Sequence, residues 1–272
     1  MKINSLSPIG IFDSGIGGLI IAKEIKIQMP NEYFIYFGDT INMPYGDKSK
    51  NFIIDHSMKI VSFLYKKKCK ALVIACNSIA SNALDVIKEK FHKKILIFNV
   101  IDPVIKNNIF LSSKRIGIIA TPATIRSNFY IEKIKKYYHH LDIIKISTSL
   151  LAPIIEKGDN IEKINNVIKY YLNFLQLKSI DRLLLACTHY LFFKQEIENF
   201  FHGKVHLIDI QKIVVQEIKK QLNKKKLLCI YPNYNKIPIF YTSSYIPSFF
   251  EKKVRTLFGK NVFIKTHSFN WI

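Results

Sequence analysis

The sequence predicts an α/β protein with two pseudosymmetric lobes, each a mostly parallel sheet flanked by helices, and a site in the cleft between them. Short apolar runs alternate with stretches of helical periodicity. An apolar run followed by Ala, Cys and a small polar residue at 71–78 returns at 182–189. A second pair of similar runs, 9–14 and 116–121, has nearly the same separation, and two matched pairs in matched order indicate two similar lobes.

The length allows one large domain or two smaller ones, and the repeat favours two. The chain has 272 residues, of which 49% are hydrophobic and 22% are charged, so it can form a sizeable core. We expect the first lobe at 1–102, ending at Asp102-Pro103, and the second at 103–210. The tail at 211–272 could pack on either lobe, and we expect it to complete the first.

The charge of +21 raises the question of a nucleic-acid partner. Only four of the 41 basic residues are arginine, whereas base and phosphate recognition favours clustered arginine. The lysine runs at 66–68 and 224–226 follow predicted helices, where cations suit the C-terminal dipole. The pattern argues against nucleic acid as the main partner, although a positive field would attract an acidic substrate.

The four cysteines, Cys69, Cys76, Cys187 and Cys229, form neither a C-x-x-C pair nor a zinc spacing, and a disulfide framework is not expected. No metal or pyridoxal phosphate is expected either, because no ligand cluster or lysine motif calls for one. The sequence lacks an apolar segment before Asp13 and a run of 18 apolar residues. We therefore expect a protein of the reducing cytoplasm with no membrane segment.

In the first lobe, continuous apolar runs predict buried parallel strands, and apolar residues at helical spacing predict the helices. The expected strands are 8–12, 33–37, the run before Cys76, and 95–100. The expected helices are 19–29, which Pro30 stops, 52–65, and 82–91. The loop at 38–46 is longer than the usual connection, and such loops tend to carry function.

The same reasoning predicts the second lobe. The expected strands are 115–120, 143–146, the run before Cys187, and 204–209. The expected helices are one that follows a Thr-Pro-Ala-Thr turn and continues through Tyr138, 161–176, and 211–226. The tail from 227 onward alternates short apolar runs with proline.

Several strand ends carry reactive or anion-binding groups. Cys76 and Cys187 fall at carboxyl ends, where open parallel sheets bind ligands, and Asp13 ends the first strand. The glycine turn at 15–18 enters a helix and could hold an anion with its free N–H groups, but its spacing is not that of a dinucleotide fingerprint. A buried cysteine is often only a small apolar residue, so the case depends on the repetition.

Two thiols on facing lobes suit inversion at a carbon centre. One thiolate can remove a proton while the opposite thiol returns one on the other face, and the reverse reaction exchanges their roles. A nucleophilic cysteine with a histidine base would leave the second cysteine unexplained. His189, two residues after Cys187, is a candidate to favour the thiolate.

The chain resembles the bacterial glutamate racemases, within the aspartate/glutamate racemase superfamily, over about residues 8 to 210. The motifs that carry the resemblance are IGIFDSGIGGL (9–19), YFGDTINMPYGDKS (36–49), ACNSIAS (75–81), ATPATIRSNFY (120–130) and ACTHY (186–190).

The resemblance implies a cofactor-independent interconversion of L- and D-glutamate that supplies D-glutamate for peptidoglycan. It implies that Cys76 acts on the D-enantiomer, assisted by Asp13, and that Cys187 acts on the L-enantiomer, assisted by His189 and Glu156. It further implies that glutamate is held by Asp13, Ser14, Tyr45, Gly46, Asn77, Ser78, Thr188 and His189.

Departures from the family pattern at Ala186, Leu191 and Ile210 leave the turnover rate open. An aspartate or other amino-acid racemase of the superfamily is the alternative enzyme, because sequence does not show the depth of the pocket. A basic protein that kept the fold and binds nucleic acid is the alternative of another class. A homodimer is left open.

Overall fold

The computed structural model describes residues 3–174, 179–231, 236–243 and 245–269, which form two parallel sheets flanked by helices, as the sequence predicts. The strands are β1 Ile9–Asp13, β2 Phe34–Gly38, β3 Ala71–Ile74, β4 Leu96–Asn99, β5 Arg115–Ala120, β6 Asp142–Ser147, β7 Arg182–Ala186, β8 His206–Leu207, β9 Ile239–Thr242 and β10 Phe263–Thr266. The helices are α1 Leu19–Gln28, α2 Lys50–Lys66, α3 Asn77–Phe91, α4 Asp102–Ile105, α5 Pro122–Arg126, α6 Phe129–Tyr137, α7 Leu151–Lys157, α8 Ile161–Leu172, α9 Lys194–Phe200, α10 Ile210–Lys224 and α11 Ser248–Phe258.

The two sheets repeat the same central pairing. The first sheet has the order β10-β9-β2-β1-β3-β4, and the second has the order β6-β5-β7-β8. In the first sheet β1 pairs in parallel with β3, and in the second β5 pairs in parallel with β7. The runs that match in sequence therefore occupy corresponding positions in the two sheets, and the two cysteines follow corresponding strands.

The C-terminal strands extend the first sheet. β9 pairs in parallel with β2, and β10 pairs in parallel with β9. Aromatic rings pack around β9. The Phe240 ring packs edge-on against the Phe34 ring, and its centroid lies 4.9 Å from that of the Phe258 ring. The lobe boundaries at 102/103 and 210/211 stay a prediction. Parts of the predicted tail, residues 232–235, 244 and 270–272, lie outside the described residues.

Several predicted elements differ in extent. α3 begins at Asn77 rather than at 82, because residues 77–81 are all buried and show no amphipathic pattern. The Thr-Pro-Ala-Thr segment is the start of α5, since proline suits a first helical turn. Asn128, in the left-handed region at φ 53°, separates α5 from α6. The predicted helix 161–176 ends at Leu172, and residues 175–178 lie outside the described residues.

A buried ion pair joins the first lobe to the N-terminal segment and to the segment that follows α10. The Lys70 ammonium lies 2.6 Å from the Glu32 carboxylate, and both side chains are fully buried. The same ammonium donates to the carbonyl oxygens of Ser5 at 2.6 Å and Leu227 at 2.8 Å. These bonds satisfy the charge and link three distant segments. In the described part of the chain, the helices are too short or too polar to cross a bilayer.

Candidate active site

Two cysteine sulfurs border one cleft between the lobes. Cys76 follows β3 and caps α3, and Cys187 follows β7 and precedes a short 3-10 helix, Thr188–Phe193. The described residues that line the cleft are Ser14, Pro44, Gly46, Cys76, Asn77, Ser78, Thr121, Ala152, Cys187, Thr188 and His189. The free volume is about 10 Å³, close to the least that one water molecule needs. A cleft of this volume is too small for an amino acid, so binding one requires the cleft wall to move.

Cys76 is held as a neutral thiol. Burial, together with the negative charge of Asp13, raises the pKa of Cys76 to about 12. Its sulfur lies 3.7 Å from the Ser14 hydroxyl oxygen. At neutral pH this side chain can donate a proton into the cleft.

Asp13 makes hydrogen bonds to both lobes and lies close enough to Cys76 to affect its thiol. Its Oδ1 accepts a hydrogen bond from the Gly15 N–H at 2.8 Å, and its Oδ2 accepts one from the Thr188 hydroxyl at 3.4 Å. Burial raises the pKa of Asp13, partly offset by His189 and by backbone N–H donors. A carboxyl group with a raised pKa is suited to exchange protons near neutrality.

Cys187 has a charged partner. Its sulfur lies 3.5 Å from His189 Nδ1, while His189 Nε2 makes a very short contact with Glu156 Oε1. Burial lowers the pKa of His189, but the negative charges of Glu156 and Cys187 outweigh it and raise that pKa well above its ordinary value. An imidazolium here donates to Glu156 through one nitrogen and can stabilise a Cys187 thiolate through the other.

The glycine turn after β1 binds anions, but they are the protein's own carboxylates. The Gly15 N–H donates to Asp13, and the Ile16 N–H donates to Glu156 Oε1 at 3.2 Å. A Cβ atom at Gly17 would lie 2.5 Å from the Thr188 hydroxyl oxygen and 2.7 Å from His189 Nδ1. Glycine therefore allows the first lobe to pack directly on the Cys187 side of the site.

The polar wall beside Cys76 consists of Asn77 and Ser78. Asn77 Oδ1 accepts a hydrogen bond from the Tyr130 hydroxyl at 2.6 Å, and Asn77 Nδ2 is buried without a partner among the described residues. The Ser78 hydroxyl lies 2.9 Å from the Thr121 hydroxyl, which bonds to Thr124 at 3.1 Å. Residues of the second lobe thus hold both polar side chains.

Tyr45 supports the cleft from behind. It is fully buried, and its hydroxyl makes a very short hydrogen bond to Asp39 Oδ2. Asp39 also accepts bonds from the Asn42 amide at 3.0 and 3.1 Å. The loop is anchored at Tyr45, so that its neighbours Pro44 and Gly46 reach the cleft wall.

The structure brings most of the sequence-predicted residues together. Those on the cleft wall are Ser14, Gly46, Cys76, Asn77, Ser78, Cys187, Thr188 and His189, and those behind it are Asp13, Tyr45 and Glu156.

Sequence reasoning missed Thr121, although the repeat that matches 9–14 with 116–121 equates it with Ser14. It also missed Asp39 and Tyr130, which act through other side chains. Within the described residues, no three His, Cys, Asp or Glu side chains form a group that could hold a metal.

Comparison with known proteins agrees with this geometry. Residues 36–218 match the family described as Asp/Glu/hydantoin racemase. The glutamate racemase of Sulfurihydrogenibium sp. is 40% identical over 216 residues, covering 78% of this chain and 82% of that protein. The chain belongs to the Asp/Glu/hydantoin racemase family. Glutamate racemase 3 of Caldanaerobacter subterraneus subsp. tengcongensis is 36% identical over 256 residues, covering 93% of this chain and 92% of that protein.

Solved structures extend the likeness to the fold. The structure of glutamate racemase from Francisella tularensis in complex with D-glutamate has a TM-score of 0.86 at 33% identity, covering 97% of this chain and 98% of that one. The structure of the Thermus thermophilus glutamate racemase has a TM-score of 0.84 at 28% identity, with coverages of 99% and 100%. The predicted family, the α/β class and the prediction of an amino-acid racemase are confirmed, while the roles of individual residues stay predictions.

Proposed function

We propose that this chain interconverts L- and D-glutamate by proton transfer between two cysteines, without pyridoxal phosphate or a metal. The observation that carries the proposal is the position of Cys76 and Cys187, which follow corresponding strands of two sheets and line the same cleft. The relatives support glutamate as the substrate, since those cited above are glutamate racemases and one structure contains D-glutamate.

Conversion of the L-enantiomer begins at Cys187. A Cys187 thiolate, paired with the His189 imidazolium, removes the α-proton, and the carbon becomes a carbanion stabilised by the adjacent carboxyl group. Cys76 then donates its thiol proton to the opposite face. The pKa of about 12 keeps Cys76 protonated for this step. One C–H bond breaks and one forms, so the reaction needs no other reactant.

The reverse reaction requires the proton to leave Cys76. The charge of Asp13 opposes a thiolate there and favours the thiol. A substrate ammonium group placed next to Asp13 would neutralise that carboxylate and lower the cost of ionising the thiol. In this scheme Asp13 assists Cys76, while His189 and Glu156 assist Cys187.

The substrate's charged groups match the polar wall of the cleft. The buried Asn77 amide, the Ser78 hydroxyl and the Thr188 hydroxyl offer partners for carboxylate and ammonium groups. The net charge of +21 favours approach of an anionic amino acid. We propose that the product D-glutamate serves peptidoglycan synthesis in the cytoplasm.

A chiral assay tests the substrate. Purified protein, dialysed against EDTA and supplied with no pyridoxal phosphate, is incubated separately with L-glutamate and L-aspartate, and the enantiomers are separated by chromatography. We expect D-glutamate to form much faster than D-aspartate. Faster turnover of aspartate, or activity that returns only with added metal, would contradict the proposal.

Salt-sensitive DNA binding without any racemase activity would favour the nucleic-acid alternative.

A further inference from the structure

We propose that Tyr130 is a positioning residue that fixes the Asn77 side-chain amide with its NH₂ group toward the cleft, where it donates to a carboxylate of the substrate. The inference rests on the proposed function and adds to it a specificity element supplied by the opposite lobe.

The bond between these two side chains crosses from one lobe to the other. Tyr130 lies on α6 of the second lobe, and Asn77 is the first residue of α3, directly after Cys76. The Tyr130 hydroxyl donates to Asn77 Oδ1 at 2.6 Å. The two residues are only 3% and 2% exposed, so water does not compete for this bond. Asn128, whose backbone lies in the left-handed region, is the N-cap of α6, and α6 packs against α3.

The other end of the amide has no partner in the described part of the protein. Asn77 Nδ2 is buried and makes no hydrogen bond, although Asn77 lines the cleft between Cys76 and Ser78. A buried donor without an acceptor is unfavourable, and such groups in native proteins call for an explanation. A carboxylate oxygen in the cleft would supply the acceptor, and glutamate carries two carboxylates.

The orientation of an asparagine amide is set by its partners, because its oxygen and nitrogen ends have nearly the same shape. If the amide turned over, Asn77 Oδ1 would face the substrate carboxylate and repel it. A tyrosine hydroxyl that remains protonated holds the oxygen end. Burial raises the pKa of Tyr130 well above its ordinary value, so the donor persists throughout the working pH range.

The test compares two tyrosine variants of the same helix region. Tyr130→Phe removes only the hydroxyl oxygen that holds Asn77. Tyr138→Phe is the matched control, because the Tyr138 hydroxyl also makes a hydrogen bond, to the Asn107 carbonyl at 3.0 Å, but Tyr138 is not among the described residues that line the cleft. For Tyr130→Phe we expect KM for L- and D-glutamate to rise roughly 10-fold, because the substrate carboxylate would lose part of the free energy of its hydrogen bond to Asn77. We expect kcat to change less than about threefold. Tyr138→Phe should keep the parent KM.

A double-mutant cycle then shows whether Tyr130 acts through Asn77. We expect Asn77→Ala to raise KM, and Tyr130→Phe to add no further increase in the Asn77→Ala background. A merely structural role for Tyr130 predicts effects on KM that multiply in the double variant, and that result would overturn the inference. An unchanged KM in Tyr130→Phe would overturn it as well.

Asn77→Asp keeps the test decisive even where Tyr130→Phe does not fold. The aspartate can still accept from Tyr130 but cannot donate to a substrate carboxylate, so KM should rise more than in Asn77→Ala because a negative charge now faces the substrate. A smaller rise than in Asn77→Ala would overturn the assignment of the donor. Absence of glutamate turnover in the parent protein would contradict the proposed function, whereas parent activity with an unaffected Tyr130→Phe would contradict only this inference.

Discussion

Gly15→Ala should lower kcat, because the added methyl group would meet the carboxylate of Glu156, which we propose assists Cys187 through His189. Gly15 lies in the turn after β1, where a Cβ atom would be 2.1 Å from Oε1 and 2.8 Å from Cδ of Glu156. Atoms cannot approach so closely, so the Glu156 carboxylate must move. The carboxylate is the end of a flexible side chain and can turn away from the methyl group, but it is buried and would lose hydrogen bonds that also stabilise the fold, so we expect the melting temperature to fall as well.

The same displacement should be costly for the reaction. Glu156 accepts from the Ile16 N–H at 3.2 Å and pairs with His189, and the alanine methyl group would displace it from both. A hydrogen bond to a charged group contributes about 1.5–3 kcal/mol. If one such bond is lost in the transition state, kcat should fall about 10- to 150-fold.

The assay is kcat for L-glutamate, followed by chiral chromatography, with the melting temperature measured in parallel. Gly203→Ala is the control: Gly203 has φ +76°, and no described atom lies within 4 Å of the Cβ position. This variant should lose stability through backbone strain, roughly 1–2 kcal/mol, and keep its kcat. A kcat for Gly15→Ala within twofold of the parent would refute the reasoning.

Three further predictions concern buried groups. Burial raises the pKa of Asp13 above its unfolded value of about 4, so the stability that the protonated group contributes at low pH is lost as the pH rises through the folded pKa. Asp13→Asn should therefore raise the urea midpoint relative to the parent at pH 8 but not at pH 3, and it should reduce turnover. An equal change at both pH values would contradict this. Lys70→Met leaves the Glu32 carboxylate buried without its cation, so the free energy of unfolding measured in urea should fall by about 3–5 kcal/mol. A fall below about 1 kcal/mol would show that the ion pair contributes little to stability. Tyr45→Phe removes a hydrogen-bond donor from buried Asp39 and should loosen the loop at 38–46, so KM for glutamate should rise several-fold. An unchanged KM would mean that other contacts hold this loop.

The sequence predicts the parts of this protein that depend on local pattern. Apolar runs mark the central strands, and the repeat places Cys76 and Cys187 at corresponding positions. The helix prediction is wrong at the start of α3, because buried polar residues there interrupt the spacing of apolar residues that marks a helix. It also fails at Asn128, whose left-handed backbone splits one predicted helix into two.

The supporting contacts of the site could not be predicted, because they join residues that are distant in the chain. Tyr130 meets Asn77 across the cleft, and Glu156 meets the Ile16 N–H across 140 positions of sequence. No local signal marks such a pair. These contacts follow from the way the lobes face each other, which only the folded structure shows.

The most direct test of the two-thiol mechanism is to follow racemisation and α-hydrogen exchange together in D₂O for Cys76→Ala and Cys187→Ala. Each variant should lose net conversion in both directions, by at least about 100-fold, because one face of the carbon has no proton carrier. Cys76→Ala should still place deuterium slowly into L-glutamate without forming D-glutamate, and Cys187→Ala should do the same with D-glutamate. Racemisation by either variant at close to the parent rate would contradict the mechanism, because one of the two thiols would then be dispensable.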